Sequence, residues 1–415
     1  MIKKVKMIIL GGVSKDALSL LFSQLIIIVI GFSTTVVWAN MATVELYGQY
    51  SLVISYLSIA AIFALGGLNT SLELGAARNQ DGMLKAVLKK KFVAGLLTAP
   101  LILIFAYYHY CQGQNIIAIV LAVLFFVYPL RVVVEMWKPW LNGGRNFHLY
   151  AMQNVIAVIV VFASIFFSLF LKLSLINTVI VVMLSHLLIN GFFLFSAYFK
   201  TKNNSFSRES LDYGLSISFI FIINSLLLFD KALIHYFSGD IKLVALYSIS
   251  LTFSLLAKTL FDVTNKLLIP IIAGAEDINE AWLLIKGKVW IFSCFFIFSG
   301  VFGFLTLDSI IPIIFSSKYI AAAGYASWFW LLTCLAIPSS YILTIIRYHG
   351  YKKLLFWDAL LNVASKFIPM VIFIPIYHIW GCVIGYAISF LMLSIFRFIY
   401  LRKSLSEHER FILNR

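Results

Sequence analysis

The sequence predicts an all-α integral membrane protein with about twelve transmembrane helices, and three observations lead to this fold class. Of the 415 residues, 62% are hydrophobic and only 12% are charged, which is about half the charged fraction of a soluble domain. Apolar runs of about 20 residues, the length that crosses a bilayer, recur from one end of the chain to the other. These runs lack the alternation that outer-membrane barrel strands show, so helices are the expected spanning elements.

Apolar length places the spans in chain order, separated by short polar connections. The first apolar run follows several lysines, is too long for the core of a signal peptide, and is not followed by a cleavage pattern of small residues. We therefore interpret it as an uncleaved first span. The twelve spans are expected at residues 15–39, 47–70, 92–110, 115–137, 149–171, 174–199, 211–237, 243–270, 287–314, 321–346, 354–376 and 379–401.

A short polar stretch between two very apolar halves predicts a cytoplasmic linker between two bundles. The halves also share local patterns, since Tyr50-Ser51 in the second span is matched by Tyr247-Ser248 in the eighth. Six spans in each half would relate two pseudo-symmetric bundles by an axis along the membrane normal, as in several transporter folds. The predicted domains are an N-terminal six-helix bundle, the linker and a C-terminal six-helix bundle, at residues 1–199, 200–210 and 211–415.

Basic residues dominate the charge, with 32 Lys and Arg against 17 Asp and Glu and a net charge of +15. Most of these basic residues lie in alternate loops and at the two ends of the chain, whereas the loops of the opposite side hold only Lys172, Lys242 and Lys318. Because cytoplasmic loops of membrane proteins carry an excess of Lys and Arg, the pattern predicts that both termini are cytoplasmic. The even number of spans agrees with this orientation. An anionic ligand is the second explanation of the basic excess.

Motifs for nucleotide or hydrolytic chemistry are missing from the sequence. It contains no GxxxxGK[ST] loop, no dinucleotide fingerprint, no GxSxG elbow and no HExxH pair. We therefore expect neither an ATPase nor a soluble-type enzyme, with no catalytic residues, no cofactor and no nucleic-acid partner. The cysteines form no CxxC pair, so neither disulfides nor a metal site are expected at Cys111, Cys294, Cys334 and Cys382.

Polar stripes on the apolar helices are the informative feature, because ionisable residues at membrane depth are costly and usually face a cavity or a partner. Span eight carries Lys258 and Asp262 on one helix face, and span eleven carries Asp358 and Lys366. Lys366 lies about midway along its span, and Asp358 is two turns away, too far for a direct pair. Lys366 is therefore a candidate for binding an anion.

Two of the charged pairs have a simpler interpretation. Arg131 with Glu135 and Lys258 with Asp262 are spaced i,i+4 on their helices, so each pair could neutralise itself without taking part in function. Both interpretations of Lys258 and Arg131 stay open at the level of the sequence.

Two further features also have alternative interpretations. Asp230-Lys231 lies near the far end of span seven, where it is either a functional ion pair or a pair whose charges reach the outer interface. His186 lies near the middle of span six, where it is either a buried hydrogen-bonded histidine or part of a proton relay.

Several short motifs resemble those of a known family. They are E-L-Y-G-Q-Y-S at Glu45–Ser51, A-L-G-G-L at Ala64–Leu68, A-A-R at Ala76–Arg78, F-D-K-A-L-I at Phe229–Ile234 and A-L-Y-S at Ala245–Ser248. This series is similar to the motifs of the Wzx-type polysaccharide and O-antigen flippases, which belong to the multidrug/oligosaccharidyl-lipid/polysaccharide (MOP) exporter superfamily. The last motif has alanine where the family often has glycine.

The resemblance implies a flippase that moves an undecaprenyl-diphosphate-linked oligosaccharide, the O-antigen repeat unit, by alternating access. Transport would run from the cytoplasmic to the periplasmic leaflet of the bacterial inner membrane. Besides this substrate, the expected partners are membrane lipids and the polysaccharide polymerase machinery. A diphosphate cannot cross hydrocarbon unaided, so a cationic cavity must replace its water. The resulting candidates are Lys258, Lys366, Lys231 and Arg131 for the substrate, and Asp262, Asp230 and His186 for a coupling ion.

Two alternative functions remain at this stage. A drug or small-molecule exporter of the same superfamily would be expected to carry acidic rather than basic residues in its cavity. An O-antigen polymerase or ligase, which is an enzyme, would be expected to have a large external loop with catalytic charges, and the sequence has no such loop.

Overall fold

The structure is a computed structural model that describes residues 15–275, 277–348 and 352–413. All the regular elements in these ranges are helices, and the two termini that were predicted to be cytoplasmic lie outside them. The α-helices are α1 Lys15–Met41, α2 Val44–Ile62, α3 Leu68–Ala77, α4 Gly82–Cys111, α5 Asn115–Val134, α6 Trp137–Gly143, α7 Phe147–Phe170, α8 Leu175–Phe199, α9 Arg208–Ser225, α10 Asp230–Ser238, α11 Ile241–Ala273, α12 Ile278–Phe315, α13 Ala323–Tyr348, α14 Lys352–Tyr377 and α15 Ile379–Leu413.

The predicted helical membrane fold is confirmed. Eleven helical segments in the described ranges are long and apolar enough to cross a membrane. They correspond to all the predicted spans except the second. Many apolar side chains on these helices are exposed, for example Phe126 at 76% and Ile313 at 82%. Such exposure is expected where a helix faces lipid, since the hydrocarbon is as apolar as the side chain.

The second predicted span, residues 47–70, is not one continuous helix. Helix α2 ends at Ile62, the chain turns over residues 63–67, and α3 begins at Leu68. Leu65 has a backbone φ of 56°, in the left-handed region that cannot continue a right-handed helix. Two glycines, Gly66 and Gly67, follow it and favour the turn because they have little helix propensity.

The fourth and seventh predicted spans are also interrupted, each next to a charged residue. Helix α5 ends at Val134, and the short α6 begins only after Glu135. Pro139 explains this break, because a proline ring clashes with the carbonyl group four residues earlier, which here belongs to Glu135. The seventh span, predicted as one helix over 211–237, changes to a 3-10 turn at residues 226–229 and resumes as α10 at Asp230. Discontinuous helices of this kind place polar groups at membrane depth.

The chain divides into two compact units. Unit 1 comprises Met1–Ala42 and Leu52–Ile222, and unit 2 comprises Thr43–Ser51 and Ile223–Arg415. A buried cluster of unit 2 joins α11, α12 and α13 around side chains such as Phe296. The predicted domain boundaries stay a prediction.

Close backbone approaches fix the helices of unit 1. A Cβ atom added at Gly214 of α9 would overlap Ser71 Oγ of α3, so only glycine allows these two helices to pack here. Hydrogen bonds close the same contact: the backbone N–H of Gly67 donates to Ser218 Oγ at 3.1 Å, and Ser71 Oγ donates to the Ser210 carbonyl at 2.7 Å. The broken second span is therefore attached firmly to α9.

The polar linker is folded onto the beginning of α4 within unit 1. The Asp81 carboxylate accepts hydrogen bonds from the backbone N–H groups of Lys202 and Asn203, at 2.6 and 3.1 Å. In return, Asn203 Oδ1 accepts from the Asp81 N–H at 3.1 Å, and Asn204 Oδ1 accepts from Lys85 Nζ at 2.9 Å. The linker is thus an ordered element of unit 1 with a defined position beside α4.

Candidate functional site

Unit 2 contains a buried lysine on an aromatic ring. Lys366 lies near the middle of α14, and only 8% of the residue is exposed. Its ammonium group is 3.4 Å from the centre of the Tyr386 ring on α15. Gly385 allows the two helices to approach, since a Cβ atom there would lie 2.9 Å from the Lys366 carbonyl oxygen. A cation over an aromatic face is stabilised by the quadrupole of the ring, which partly replaces lost water.

A second predicted lysine meets the same ring. Lys258 of α11 is exposed, and its ammonium group lies 5.9 Å from the Tyr386 centroid. The structure therefore brings together Lys258 and Lys366, two residues from different predicted polar stripes, and each acts electrostatically on the other. Two like charges beside one ring repel each other, so an anion bound between them would lower the free energy of both.

One predicted acid completes the group, which we call the Tyr386 cluster and define as Asp230, Tyr247, Lys258, Lys366 and Tyr386. The Asp230 carboxylate accepts a hydrogen bond of 2.6 Å from the Tyr247 hydroxyl, and it attracts both lysines. Asp230 is the first residue of α10, where the backbone N–H groups of a helix N-terminus favour a negative charge. Two ammonium groups and one carboxylate give the cluster an excess of positive charge.

Edge-to-face contacts with a third aromatic ring hold the two tyrosines of the cluster in position. The Phe329 ring of α13 packs edge to face against both Tyr247 and Tyr386, with centroid distances of 5.6 and 5.0 Å. Tyr247 and Phe329 are fully buried, so the rings hold their positions within a packed core. Rigidly packed rings with charged side chains beside them are well suited to hold a polar ligand in one orientation.

The remaining predicted residues of unit 2 lie close by. Lys231 follows Asp230 directly, is half-buried, and has Asp230 as its electrostatic partner. Asp262 is exposed one turn beyond Lys258 on α11, and it attracts the Lys258 ammonium group. Two carboxylates therefore attract the Lys258 ammonium group, Asp230 as well as the Asp262 expected from the i,i+4 spacing.

Unit 1 contains a separate charged group around the interruption between α5 and α6. The Glu135 carboxylate is 2.7 Å from His186 Nε2 and 3.2 Å from Lys138 Nζ. The closest ionic partners of Glu135 are thus a histidine of α8 and a lysine of α6, whereas Arg131, the partner expected from i,i+4 spacing, donates to Met183 Sδ at 3.2 Å. Arg131 and His186 belong to this group and not to the Tyr386 cluster.

Only one of the two ring nitrogens of this group's histidine has a hydrogen-bond partner among the described residues. His186 Nε2 contacts Glu135, whereas its Nδ1 is buried and has no hydrogen-bond partner among the described residues. The backbone carbonyl of His186 accepts from Asn190, whose side-chain oxygen accepts from Trp137 Nε1. An imidazole held in this way can accept a proton at Nδ1 while it keeps its hydrogen bond to Glu135.

Three residues in or near these charged groups were not predicted from the sequence. Tyr386 gave no signal, because an aromatic residue in an apolar span is usually part of a core. Arg397 could have been found, since it is an arginine inside the predicted span 379–401. It forms a bidentate pair with Asp358 at 2.7 and 3.0 Å and also donates to Ser339. Lys91 of α4 was assigned to a loop, but it is buried and attracted by Glu135.

In the ranges that the structure describes, no group of three or more His, Cys, Asp and Glu residues is arranged to hold a metal ion.

The fold is shared with known transporters. An inward-facing multidrug resistance MATE family transporter of the MOP superfamily matches with a TM-score of 0.69 and 13% identity over 99% of both chains. The lipid II flippase MurJ, in an inward closed conformation, matches with a TM-score of 0.67 and 15% identity, over 93% of this chain and 87% of that one.

A third solved structure with this fold is described by the polarity of its binding pocket. It is a MOP superfamily transporter from Pyrococcus furiosus, described as having a binding pocket of reverse polarity that suggests a different function. It matches with a TM-score of 0.61 and 16% identity, over 94% of this chain and 96% of that one.

The fold and the charged groups in its helices define a multi-pass membrane protein with the architecture of the MOP superfamily. Residues 13–288, more than half of the chain, match the family model described as polysaccharide biosynthesis protein. The chain belongs to this polysaccharide biosynthesis protein family, and the resemblance found in the sequence motifs is confirmed. No curated protein sequence matches the chain.

Proposed function

We propose that this protein is a flippase for an undecaprenyl-diphosphate-linked oligosaccharide, the O-antigen repeat unit. It would move this lipid from the cytoplasmic to the periplasmic leaflet of the bacterial inner membrane by alternating access. The observation that carries the proposal is the convergence of Lys258 and Lys366 on the Tyr386 ring inside an apolar unit. Membership of the polysaccharide biosynthesis protein family supports it.

The chemistry of the cluster suits a diphosphate attached to a sugar. A diphosphate that leaves water loses strong hydration, and only charged donors compensate for that loss. Two ammonium groups supply charge-assisted hydrogen bonds to its oxygens, while the exposed position of Lys258 keeps the cluster accessible. The aromatic face of Tyr386 offers the apolar surface on which the C–H groups of a sugar ring could pack.

The sign of the charge distinguishes this substrate from a cationic drug. Asp230 accepts a hydrogen bond from the Tyr247 hydroxyl and attracts two lysines, so the positive charge of the cluster exceeds its negative charge and favours an anionic over a cationic substrate. A flippase of this kind is a transporter and not an enzyme. It would take its substrate from membrane lipids and pass it to the polysaccharide polymerase machinery.

An ion gradient would supply the energy for uphill transport, because the sequence has no motif that cradles the phosphates of ATP. The candidates for binding the coupling ion are His186 in unit 1 and Asp230 and Asp262 in unit 2. His186 is favoured for a proton, because its Nδ1 is buried and lacks a hydrogen-bond partner among the described residues.

A deletion strain tests the function directly. We expect lipid-linked oligosaccharide to accumulate on the cytoplasmic side, surface O-antigen to disappear, and the wild-type gene to restore both. Lys258→Glu should fail to restore them, whereas Lys286→Glu, a change at an exposed lysine of unit 2 outside the cluster, should succeed.

Other outcomes identify the alternatives. Unchanged O-antigen together with altered drug susceptibility would indicate a small-molecule exporter. Single repeat units that reach the periplasm but stay unpolymerised or unattached would indicate a polymerase or ligase.

A further inference from the structure

Unit 1 contains a cavity that the proposed transport does not use. Its volume is about 510 Å³, within the range of small-molecule pockets. The walls come from α4, from α9, from the interruption between α2 and α3, and from the linker. The lining residues are Leu65, Ala86, Lys89, Lys90, Val93, Ala94, Leu97, Phe206, Leu211 and Leu215. We call this cavity the α4 groove.

The surface of the groove is almost entirely apolar, and two of its lining residues are lysines. Its α4 residues recur at spacings of three and four, so they form one stripe along the helix. Lys89 and Lys90 stand near one end of this stripe, and Val93 and Leu97 continue it toward the other. From Lys89 to Leu97 the helix rises by about 12 Å, at about 1.5 Å for each residue. The α4 groove is therefore an apolar channel with two exposed lysines near one end.

The two lysines are available for a ligand. Both are exposed, and neither forms a hydrogen bond or ion pair with another residue of the described ranges. The neighbouring Lys85 differs, since it donates to Asn204 Oδ1 at 2.9 Å and lies 5.7 Å from the Tyr198 ring. Lys85 thus binds the linker, whereas the ammonium groups of Lys89 and Lys90 have no hydrogen-bond or ionic partner in the part of the chain that the structure describes.

We propose that the α4 groove binds an anionic glycerophospholipid of the surrounding membrane. The lipid phosphate would lie between Lys89 and Lys90, and an acyl chain would lie along Val93 and Leu97. Leu97 is 77% exposed on a membrane-spanning helix, so the groove opens toward the hydrocarbon, where glycerophospholipids are abundant. Clusters of basic residues at the end of a spanning helix attract anionic lipids in this way.

The bound lipid would also contact the linker. Phe206 forms part of the groove wall, and the nearby linker residues Lys202 and Asn203 are bonded to Asp81 at the start of α4. An acyl chain in the groove would therefore pack against the segment that leads into α9. This inference does not depend on which substrate the protein transports.

Native mass spectrometry of the full-length protein, purified in detergent, tests the proposal with defined lipids. We expect the wild type to retain one phosphatidylglycerol molecule and to retain phosphatidylcholine much more weakly. Lys89→Gln and Lys90→Gln should each weaken phosphatidylglycerol binding about fivefold, because one basic residue near a lipid surface contributes about that factor. Val93→Trp should abolish retention by filling the groove.

Matched variants separate the groove from general effects. Leu96→Trp places the same bulky residue on an exposed position of α4 outside the groove, and Lys286→Gln removes one positive charge from an exposed position of unit 2. Both should retain phosphatidylglycerol as the wild type does. Equal retention by Val93→Trp, or equal retention of both lipids, would overturn the proposal. Competition by inorganic phosphate would instead indicate a simple anion site, and preferential binding of undecaprenyl phosphate a site for isoprenoid lipid; either result would also overturn it.

Discussion

The Lys366 ammonium group lies 3.4 Å from the centre of the Tyr386 ring, and Lys258 approaches the same ring to 5.9 Å. A desolvated cation gains about 2 kcal/mol from such a ring, which is less than the cost of leaving water. The ring therefore holds Lys366 in position without satisfying its charge. We infer that the uncompensated charge of Lys366 would attract the anionic part of the proposed substrate.

Substitutions at Lys366 should separate charge from structure. Lys366→Arg is expected to keep partial surface O-antigen, because arginine preserves the positive charge. Lys366→Ala and Lys366→Glu should lower transport about tenfold to a hundredfold, the range for losing a hydrogen bond to a charged group. Transport is measured as surface O-antigen per amount of protein in the membrane.

Tyr386 provides the companion test. Tyr386→Phe keeps the aromatic face and should retain most of the activity, whereas Tyr386→Leu should lose it. Normal O-antigen from well-expressed Lys366→Glu protein would rule out the cationic site. A loss of protein from the membrane in all the variants, in place of lost activity, would show that the cluster is only structural.

The pair between Asp358 and Arg397 should contribute to stability. Each residue is only 6% exposed, and the two side chains share two hydrogen bonds. Arg397→Met leaves a buried carboxylate without its partner, which costs about 3–5 kcal/mol. We expect the apparent melting temperature in detergent to fall by on the order of 5–10 °C.

The double variant is the control for this pair. Asp358→Leu combined with Arg397→Met removes both charges and should recover most of the lost stability, since apolar replacements of a buried ion pair are often neutral. A double variant as unstable as Arg397→Met alone would contradict the assignment of a stabilising pair.

The same pair shows what could be predicted from the sequence. Apolar length alone predicted the positions of all the spans except the second, because a bilayer fixes how many residues a helix needs to cross it. The separation of Lys366 from Asp358 was also correctly expected, since helical spacing determines it. The partner of Asp358 lies on another helix, at Arg397, and sequence spacing carries no information about contacts between helices.

The helix interruptions were the main feature of the fold that apolar length could not predict. The break before Leu68 depends on a left-handed Leu65, and the one at Asp230 follows a 3-10 turn of apolar residues. Hydropathy is the same on both sides of such a break, so it gives no signal. For the Tyr386 cluster, the lysines were found because charge in an apolar span is costly, whereas the aromatic ring between them was not.

Gly214 should be required for packing in unit 1. A larger side chain there would overlap Ser71 Oγ and crowd the Gly67 carbonyl group, so Gly214→Val is expected to cost about 1–3 kcal/mol through overpacking. Gly191→Val is the matched control, since no described atom lies within 4 Å of its added Cβ atom. Melting curves of the two purified variants should therefore differ, and equal curves would contradict the close approach of α3 and α9.

Reporter fusions test the orientation of the chain. Hydrogen bonds to Asp81 hold Lys202 beside the beginning of α4, whereas Gln112 follows the end of the same helix. The 30 residues of α4 span about 45 Å, so the two positions should lie on opposite sides of the membrane. Fusions after Lys202 and Arg410 should report the cytoplasm, and those after Gln112 and Lys242 the periplasm. A periplasmic signal at Lys202 would overturn the predicted span count and the organisation into two six-helix bundles.

The histidine of unit 1 should couple transport to protons. His186 Nε2 lies 2.7 Å from Glu135, and Lys138, Arg131 and Lys91 are the other charges that act on this carboxylate. Because histidine is the residue type whose ordinary pKa lies nearest to neutral pH, we expect the imidazole to be the side chain of the group that binds and releases a proton there. His186→Gln keeps a donor for Glu135 but cannot titrate. We expect this variant to insert normally and to lose transport driven by a pH gradient.

Proteoliposomes with an imposed pH gradient and a pH-sensitive dye inside measure this coupling. The wild type should show proton movement that depends on transport of the lipid-linked substrate. His148→Gln, a change at an exposed histidine, should behave in the same way. If His186→Gln still moves protons with the substrate and only melts at a lower temperature, the histidine has a structural role. The carboxylates of Asp230 and Asp262 would then be the remaining candidates, and because both lie beside Lys258, the coupling ion would compete directly with the substrate site.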